Sequence, residues 1–230
     1  TKAVPEILSQ LPKERVLAAL DSKNDDVVVE GWKVATGQNV IDRMRELKDY
    51  VAGFLLTFVE LEGRLGGTDL ERVKQYRELF PNSELTIAGG VTTAEEIAEL
   101  HNLGADAQVG MALYTNKLDL GDAIAAPLKT NEKGLAPTVV CDESGIALGL
   151  CWSNKESIRK AVELKRGVYW SRSRDELWIK GETSGATQEL LNIALDCDND
   201  ALKFTVRQSG AGFCHKEERT CWGEDSGISK

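Results

Sequence analysis

Short apolar runs alternate with amphipathic helical patterns over residues 15–126. The predicted strands are "RVLAALD" (15–21), "VAGFLLT" (51–57), "ELTIAGG" (84–90) and "AQVGMALY" (107–114). Strands separated by helices are typical of βαβ units, which form a parallel sheet. Because four strands are too few to close a barrel, this pattern predicts an open α/β sheet.

The segment "TTAEEIAELHNLGA" shows the helical pattern most clearly. Thr93 is the predicted N-cap, since its hydroxyl can accept a first-turn N–H, and Glu96 suits the positive helix N-terminus. Leu100 is predicted to be buried, and Gly104 can adopt the left-handed conformation that ends a helix. The segment therefore predicts one complete, capped helix.

Apolar periodicity stops over residues 127–137, where Pro, Gly, Lys and Asn accumulate, which predicts a linker. The pattern after it is mixed α+β. We expect a hairpin turning at 142–145 and then a helix capped by Ser153 and Glu156 and ending at Gly167. Two strands in "GVYWSRSRDELWIKG", a helix in "TQELLNIALD" and a strand in "ALKFTVRQ" should follow.

Composition restricts the possible partners. The chain has 230 residues, 42% of them hydrophobic, and a formal net charge of −9. That charge argues against a general nucleic-acid surface but leaves room for a local basic pocket that binds one phosphorylated metabolite. Since no apolar run is long enough to span a bilayer, we expect a cytoplasmic protein with neither nucleic-acid nor membrane partners.

The stretch "LDCDNDALKF" concentrates acidic groups. If it is extended, Asp196, Asp198 and Asp200 share one side while Cys197 faces the other. Carboxylates held together repel one another unless a cation offsets the repulsion. The stretch therefore predicts a magnesium or similar hard-cation site, with a solvated acidic turn as the alternative.

The cysteines suggest a second metal. Three of the five, Cys197, Cys214 and Cys221, lie close together in the sequence, which favours a metal site over a disulfide framework. Three thiolates and an exchangeable water would form an open, catalytic type of zinc site. His215 is either a fourth ligand or, as we prefer, an acid/base acting on the zinc-bound water. Three buried free cysteines are the remaining alternative.

Long motifs then identify a family. "RGVYWSRSRDELWIKGETSGATQ" and "DCDNDALKFTVRQSGAGFCHKEERTC" closely resemble phosphoribosyl-AMP cyclohydrolase, a histidine-biosynthesis enzyme that hydrolytically opens the purine ring of phosphoribosyl-AMP. The resemblance implies a small α+β domain over residues 138–230. It also implies that the three cysteines bind zinc, that the three aspartates bind magnesium, that His215 is the acid/base, and that the protein is a homodimer with shared active sites.

The phosphorylated nucleotide substrate needs its own contacts. The segment "WSRSR" offers Ser171, Arg172, Ser173 and Arg174. In a strand, the two arginines would share a face and clamp a phosphate, whereas ion pairing with Asp175 or Glu176 is the alternative. The segment "KGETSG" is expected to line the same pocket with Lys180, Glu182, Thr183 and Ser184.

The first domain has a separate resemblance, carried by "VVVEGW", "GGTDLERV", "IAGGVTTAEEI" and "VGMALY". They resemble the C-terminal half of ProFAR isomerase, a (βα)8-barrel enzyme of the same pathway. A (βα)4 half-barrel over residues 1–126 is implied, with Asp21 as an acid and Thr57 in the site. Three glycines would let backbone amides approach a phosphate: Gly89, Gly90 and Gly110. Glu62 and Met111 depart from the family's Asp and Arg.

These observations predict a zinc- and magnesium-dependent cyclohydrolase that carries an inactive half-barrel. Paired half-barrels that also isomerise ProFAR are one alternative. A non-catalytic, zinc-stabilised interaction module is another.

Overall fold

A computed structural model describes residue 8 and residues 10–223. The chain divides into two compact units between Leu118 and Asp119. Among the residues that the structure describes, no helix is long and apolar enough to cross a membrane.

The first unit contains a six-stranded sheet in the order β3-β2-β1-β4-β5-β6. Its strands are β1 (Leu17–Lys23), β2 (Asp26–Val29), β3 (Val34–Asn39), β4 (Gly53–Phe58), β5 (Glu84–Ala88) and β6 (Asp106–Gln108). The strands β1, β4, β5 and β6 are parallel, whereas β2 and β3 form an antiparallel hairpin beside β1. The half-barrel prediction is confirmed, and the hairpin is an element that the sequence analysis missed.

The helices of this unit are α1 (Val40–Leu47), α2 (Leu70–Leu79), α3 (Ala94–Asn102) and the one-turn α4 (Met111–Tyr114). A 3-10 turn, Lys13–Arg15, precedes β1. The core lies between sheet and helices, where Met44, Phe54, Phe58 and Leu100 are fully buried. Burying such side chains supplies most of the free energy that holds the helices against the sheet.

Helix α3 follows its predicted capping. Thr93 and Glu96 form a reciprocal capping box, and Gly104 has a φ of +72° just after the helix. The predicted strand 107–114 is partly wrong, because β6 ends at Gln108 and Gly110 is the N-cap of α4.

The second unit contains β7 (Ala136–Cys141), β8 (Ala147–Ser153), β9 (Val168–Ser171), β10 (Glu176–Ile179), β11 (Gln188–Leu195) and β12 (Leu202–Gln208). Its helices are α5 (Leu120–Ala125) and α6 (Lys155–Leu164). The main sheet has the order β11-β12-β7-β8, and β9 pairs with β10. Among the described residues of this unit, β7 and β12 are the only strands that pair in parallel. The predicted mixed α+β fold, the 142–145 turn and the β9–β10 pair are present.

Helix α5 belongs to the second unit because it packs on α6. Arg159 donates two hydrogen bonds to Asp122 Oδ1, of 2.9 and 2.7 Å. A Cβ at Gly121 would lie 2.4 Å from the Arg159 Cα, so only glycine permits this approach. Leu128 is buried in the second core. The predicted linker at 127–137 therefore differs from the structural division, which lies before α5.

Helix α6 begins one residue later than predicted. Asn154, not Ser153, is the N-cap, and its reciprocal partner is Ser157 rather than Glu156. Ser153 is fully buried in β8, where its hydroxyl accepts a 2.7 Å hydrogen bond from Thr138. Lys165 ends the helix in the left-handed conformation, before Gly167.

The predicted helix "TQELLNIALD" is wrong, because this segment is strand β11. It pairs antiparallel with β12 and contains a bulge between Leu190 and Asn192. The extra residue breaks the two-residue alternation, so that Leu190 and Ile193 imitate a helical spacing. In contrast, β12 buries Leu202, Phe204 and Val206 on one face, as predicted.

Candidate active site and metal ligands

A cavity of about 400 Å³ lies in the second unit. Its lining combines apolar side chains with titratable groups that the sequence analysis selected. The apolar part includes Leu150, Trp178 and Phe213, and the titratable part includes Lys180, Cys214, His215 and Cys221. This volume and mixed lining suit a small organic ligand held by a few polar groups.

The loop after β12 brings two predicted zinc ligands together. The backbone N–H of Cys214 donates to the Glu218 carbonyl at 3.1 Å, which folds the loop back on itself. Cys221 is anchored through its N–H to the Leu148 carbonyl of β8, at 2.8 Å. Both thiols consequently face the same cavity and interact with each other.

Polar groups surround the Cys214 sulfur. The backbone N–H of Lys216 lies 3.5 Å from Cys214 Sγ, and His215 Nδ1 lies 3.8 Å from it. An N–H donor stabilises negative charge on sulfur, so this loop suits a thiolate ligand. His215 is exposed and lines the cavity, which is the position that an acid/base group requires.

Burial dominates the electrostatics of the cavity. It raises the pKa of Cys221, and the neighbouring Cys214 raises it further. Burial also raises the pKa of Cys151 to about 12 and lowers the pKa of Lys180. Cys151 lies on β8 and also lines the cavity, a position that its sequence context did not predict. Its only sequence signal is a thiol within the apolar run "LGLCW".

The segment that contains Cys197 does not have the extended conformation on which the predicted side-chain alternation depended. Residues 197–200 form a turn between β11 and β12, and Asn199 has a φ of +65°. Asp196 Oδ1 accepts the backbone N–H groups of Asp200 and Ala201, at 3.0 and 3.1 Å. The predicted alternation fails because hydrogen bonds close the segment into a turn.

The three aspartates nevertheless come together. Ligand oxygens of Asp196, Asp198 and Asp200 all lie within 4.8 Å of one another, and all three residues are exposed. The negative charge of Asp198 raises the pKa of Asp200, whereas the Ala201 N–H is the largest cause that lowers the pKa of Asp196. Over residues 10–223 this is the one group of three or more potential ligands found, so Cys197 is not brought into such a group with Cys214 and Cys221.

The "KGETSG" turn supplies three of its four predicted residues to the cavity. Lys180, Thr183 and Ser184 line it, whereas Glu182 does not. Gly181, which also lines the cavity, has a φ of +83°, and a Cβ there would lie 2.5 Å from the Ala186 carbonyl carbon. The turn therefore depends on glycine at this position.

The predicted two-arginine strand face is wrong. Arg172 and Arg174 lie in the turn between β9 and β10, where alternation does not apply. Arg174 Nε makes an ion pair with Glu176 at 3.1 Å and also donates to Ser171 Oγ at 3.2 Å. The Arg172 guanidinium stacks 4.5 Å from the centre of the Trp152 ring. None of Ser171, Arg172, Ser173 and Arg174 is among the residues lining the cavity.

In the first unit, the predicted residues lie at the carboxyl ends of the parallel strands. Asp21 on β1 is in register with Thr57 on β4, which is in register with Ala88 on β5. A separate cavity of about 60 Å³ includes Gly89, Gly90, Gly110, Glu62 and Met111 in its lining. Asp21 and Thr57 do not line this small cavity.

Comparisons with known proteins match the two units of the chain to two different families. A family model described as "Phosphoribosyl-AMP cyclohydrolase" matches residues 149–223, and one described as "Histidine biosynthesis protein" matches residues 1–119. The "Histidine biosynthesis trifunctional protein" of Saccharomyces bayanus is 42% identical over 144 residues, which are 63% of this chain and 18% of that protein.

Two further relatives match shorter stretches of the chain. The trifunctional protein of Saccharomyces cerevisiae is 59% identical over 91 residues, 40% of this chain and 11% of its own length. The "Phosphoribosyl-AMP cyclohydrolase" of Ruegeria sp. is 48% identical over 108 residues, 46% of this chain and 83% of that protein. The chain thus spans under a fifth of the two fungal relatives and most of the bacterial one.

Proposed function

We propose that this chain hydrolytically opens the purine ring of phosphoribosyl-AMP. The chain belongs to the phosphoribosyl-AMP cyclohydrolase family and, in its first half, to the histidine biosynthesis protein family. The observation that carries the proposal is the cavity where Cys214, Cys221 and His215 meet. Leu150, Trp178 and Phe213 give it apolar walls suited to a purine. Thr183 and Ser184 add hydroxyls that can bind polar groups of the nucleotide.

Zinc suits the thiols of this cavity. Cys214 and Cys221 are adjacent, and one accepts a backbone N–H, which is a donor set that zinc binds readily. Because Cys197 lies on an exposed turn outside this pair, we propose a homodimer in which the partner subunit's Cys197 completes the set. Zinc supplies the Lewis acidity that makes water a nucleophile near neutral pH.

His215 is the proposed acid/base. Imidazole both takes up and releases protons near neutral pH, and this ring lines the cavity beside Cys214. It would accept a proton from the water that attacks the ring carbon and deliver a proton to the ring nitrogen as the carbon–nitrogen bond breaks.

The aspartate cluster is the proposed magnesium site. Its carboxylates are exposed and converge, and oxygen ligands of this kind are preferred by magnesium. A cation there would offset the repulsion that raises the pKa of Asp200.

The test is a ring-opening assay on metal-stripped protein, with zinc and magnesium restored separately. Zinc should restore activity, and Cys214→Ser should lose both zinc and activity. Cys141→Ala serves as the matched control, because Cys141 is buried in β7 and does not line the cavity. Full activity in Cys214→Ser would contradict the zinc assignment. A well-folded, zinc-loaded protein that opens no ring would favour the non-catalytic module.

The half-barrel also leaves a bifunctional protein as a second candidate. Its match to the histidine biosynthesis protein family and the position of Asp21 beside Thr57 favour that candidate. We propose instead that the half-barrel is non-catalytic, since Met111 lines the small cavity at the position where the isomerase family has Arg. An assay with ProFAR separates the two.

A further inference from the structure

Lys180 is a buried cation that follows strand β10. Only 5% of its surface is exposed. Its Nζ donates a long hydrogen bond of 3.3 Å to the Ala186 carbonyl and lies 5.5 Å from the centre of the Phe213 ring. Across residues 10–223, the structure places no carboxylate oxygen within 4.0 Å of Nζ.

Such an environment leaves the ammonium short of partners. It has three N–H donors, and buried charges in proteins are normally paired with an opposite charge. One carbonyl and one ring face do not supply that charge. The position therefore calls for a negative charge near Nζ, which no carboxylate of residues 10–223 supplies.

The nearby groups that can become negative are thiols. Negative charge on Cys151, Cys221 or Cys214 stabilises the Lys180 ammonium. All three thiols line the same cavity as Lys180. Cys214 and Cys221 become thiolates when they bind a metal, because metal binding requires deprotonated sulfur.

We propose that Lys180 is a positioning residue whose ammonium is the counter-ion of the Cys214 and Cys221 thiolates when these hold zinc. This inference rests on the zinc site of the proposed function. The thiolates of Cys214, Cys221 and the partner subunit's Cys197 together carry three negative charges, one more than the two positive charges of a zinc ion. The buried ammonium neutralises that excess. Lys180 thus acts on zinc binding through the sulfur ligands rather than by touching the substrate.

The experiment compares Lys180→Met with Lys180→Arg in the full chain, with Lys203→Met as the control. Lys203 is exposed on β12, so its replacement changes the net charge equally without entering the cavity. Zinc affinity is measured by competition with a chromophoric chelator at fixed pH. Lys180→Met should weaken zinc binding by about 10- to 100-fold, as loss of outer partners of metal ligands does, and Lys180→Arg should restore most of the affinity.

Stability without metal provides an independent measurement. Because no carboxylate of the described residues pairs with the ammonium, metal-stripped Lys180→Met should unfold at the same urea concentration as wild type or a higher one. A purely structural role predicts the opposite. If Lys180→Met fails to fold, or binds zinc as tightly as wild type, the proposal is overturned.

Other outcomes separate this inference from its premise. An increased KM with unchanged zinc affinity would assign Lys180 to the substrate phosphate and overturn the counter-ion role. If wild type itself binds no zinc, or Cys214→Ser retains it, the proposed zinc site fails. Lys180→Gln, which also lacks the charge but keeps polar atoms, should match Lys180→Met in zinc affinity, and wild-type affinity in that variant would equally overturn the proposal.

Discussion

The indole Nε1 of Trp32 donates a 2.9 Å hydrogen bond to Oδ2 of Asp21. Trp32 stands in the turn of the β2–β3 hairpin with a φ of +69°, and Asp21 lies on β1. The hairpin therefore places the indole N–H of Trp32 against the carboxylate of Asp21, which matches an acid of the isomerase family. In this arrangement Asp21 has a structural partner within its own unit.

Replacing Trp32 tests that arrangement. Trp32→Phe removes the donor and should lower the free energy of unfolding of the first unit by about 1 kcal/mol, measured by urea denaturation. Tyr114→Phe, at a side chain that is 85% exposed, should change stability little. Ring opening should be unaffected by either variant.

ProFAR conversion by wild type that Asp21→Asn abolishes would contradict the non-catalytic assignment of the half-barrel.

The split between Cys197 and the Cys214–Cys221 pair predicts complementation between subunits. Cys197→Ser and Cys214→Ser should each be inactive alone. When the two proteins are unfolded together and refolded as a mixture, about half the dimers are mixed and each has one intact site, so about a quarter of wild-type activity should return. Activity that stays absent, in a mixture shown to contain mixed dimers, would place all the zinc ligands in one subunit.

Thiol reactivity should follow burial. Because burial raises the pKa of Cys151 to about 12, its thiol stays protonated near neutral pH. In metal-stripped protein near pH 8, iodoacetamide should therefore modify the exposed Cys197 but not Cys151, as mapped by peptide mass spectrometry. Zinc should protect Cys197 if it is a ligand. Rapid labelling of Cys151 in the folded protein would contradict its burial.

Two glycines of the "KGETSG" turn form a matched pair. Both have positive φ, but a Cβ meets the Ala186 backbone only at Gly181, and nothing lies within 4 Å at Gly185. Gly185→Ala should cost about 1–2 kcal/mol of stability from the left-handed backbone alone. Gly181→Ala should cost more and also raise KM, since this turn lines the cavity. Equal losses in urea unfolding would show that the close approach adds nothing.

Local chemistry explains which elements were predictable from sequence. Thr93 and Glu96 form a capping box between near neighbours, and Leu202, Phe204 and Val206 alternate without interruption. Both signals depend only on the adjacent chain. The capping box and the apolar alternation are therefore independent of the tertiary contacts made by the rest of the fold.

The failures have tertiary causes. The bulge in β11 is fixed by pairing with β12, and the turn of residues 197–200 by hydrogen bonds to Asp196. Sequence spacing selected Cys214, Cys221 and His215, yet it could not show that Lys180 is buried among thiols or that Cys151 joins them. Those placements arise from strands distant in sequence.

The strand order of the second unit sets where a stable fragment can begin. The cyclohydrolase match starts at residue 149, inside β8, but β7 lies between β8 and β12 in the sheet. Lys129, further upstream, donates from its Nζ to the Asp198 carbonyl at 2.8 Å and from its N–H to the Asn199 carbonyl at 2.7 Å. A fragment cut at the homology boundary would lose its central strand and the two Lys129 hydrogen bonds to the turn of residues 197–200, whereas one starting at Asp119 would keep both.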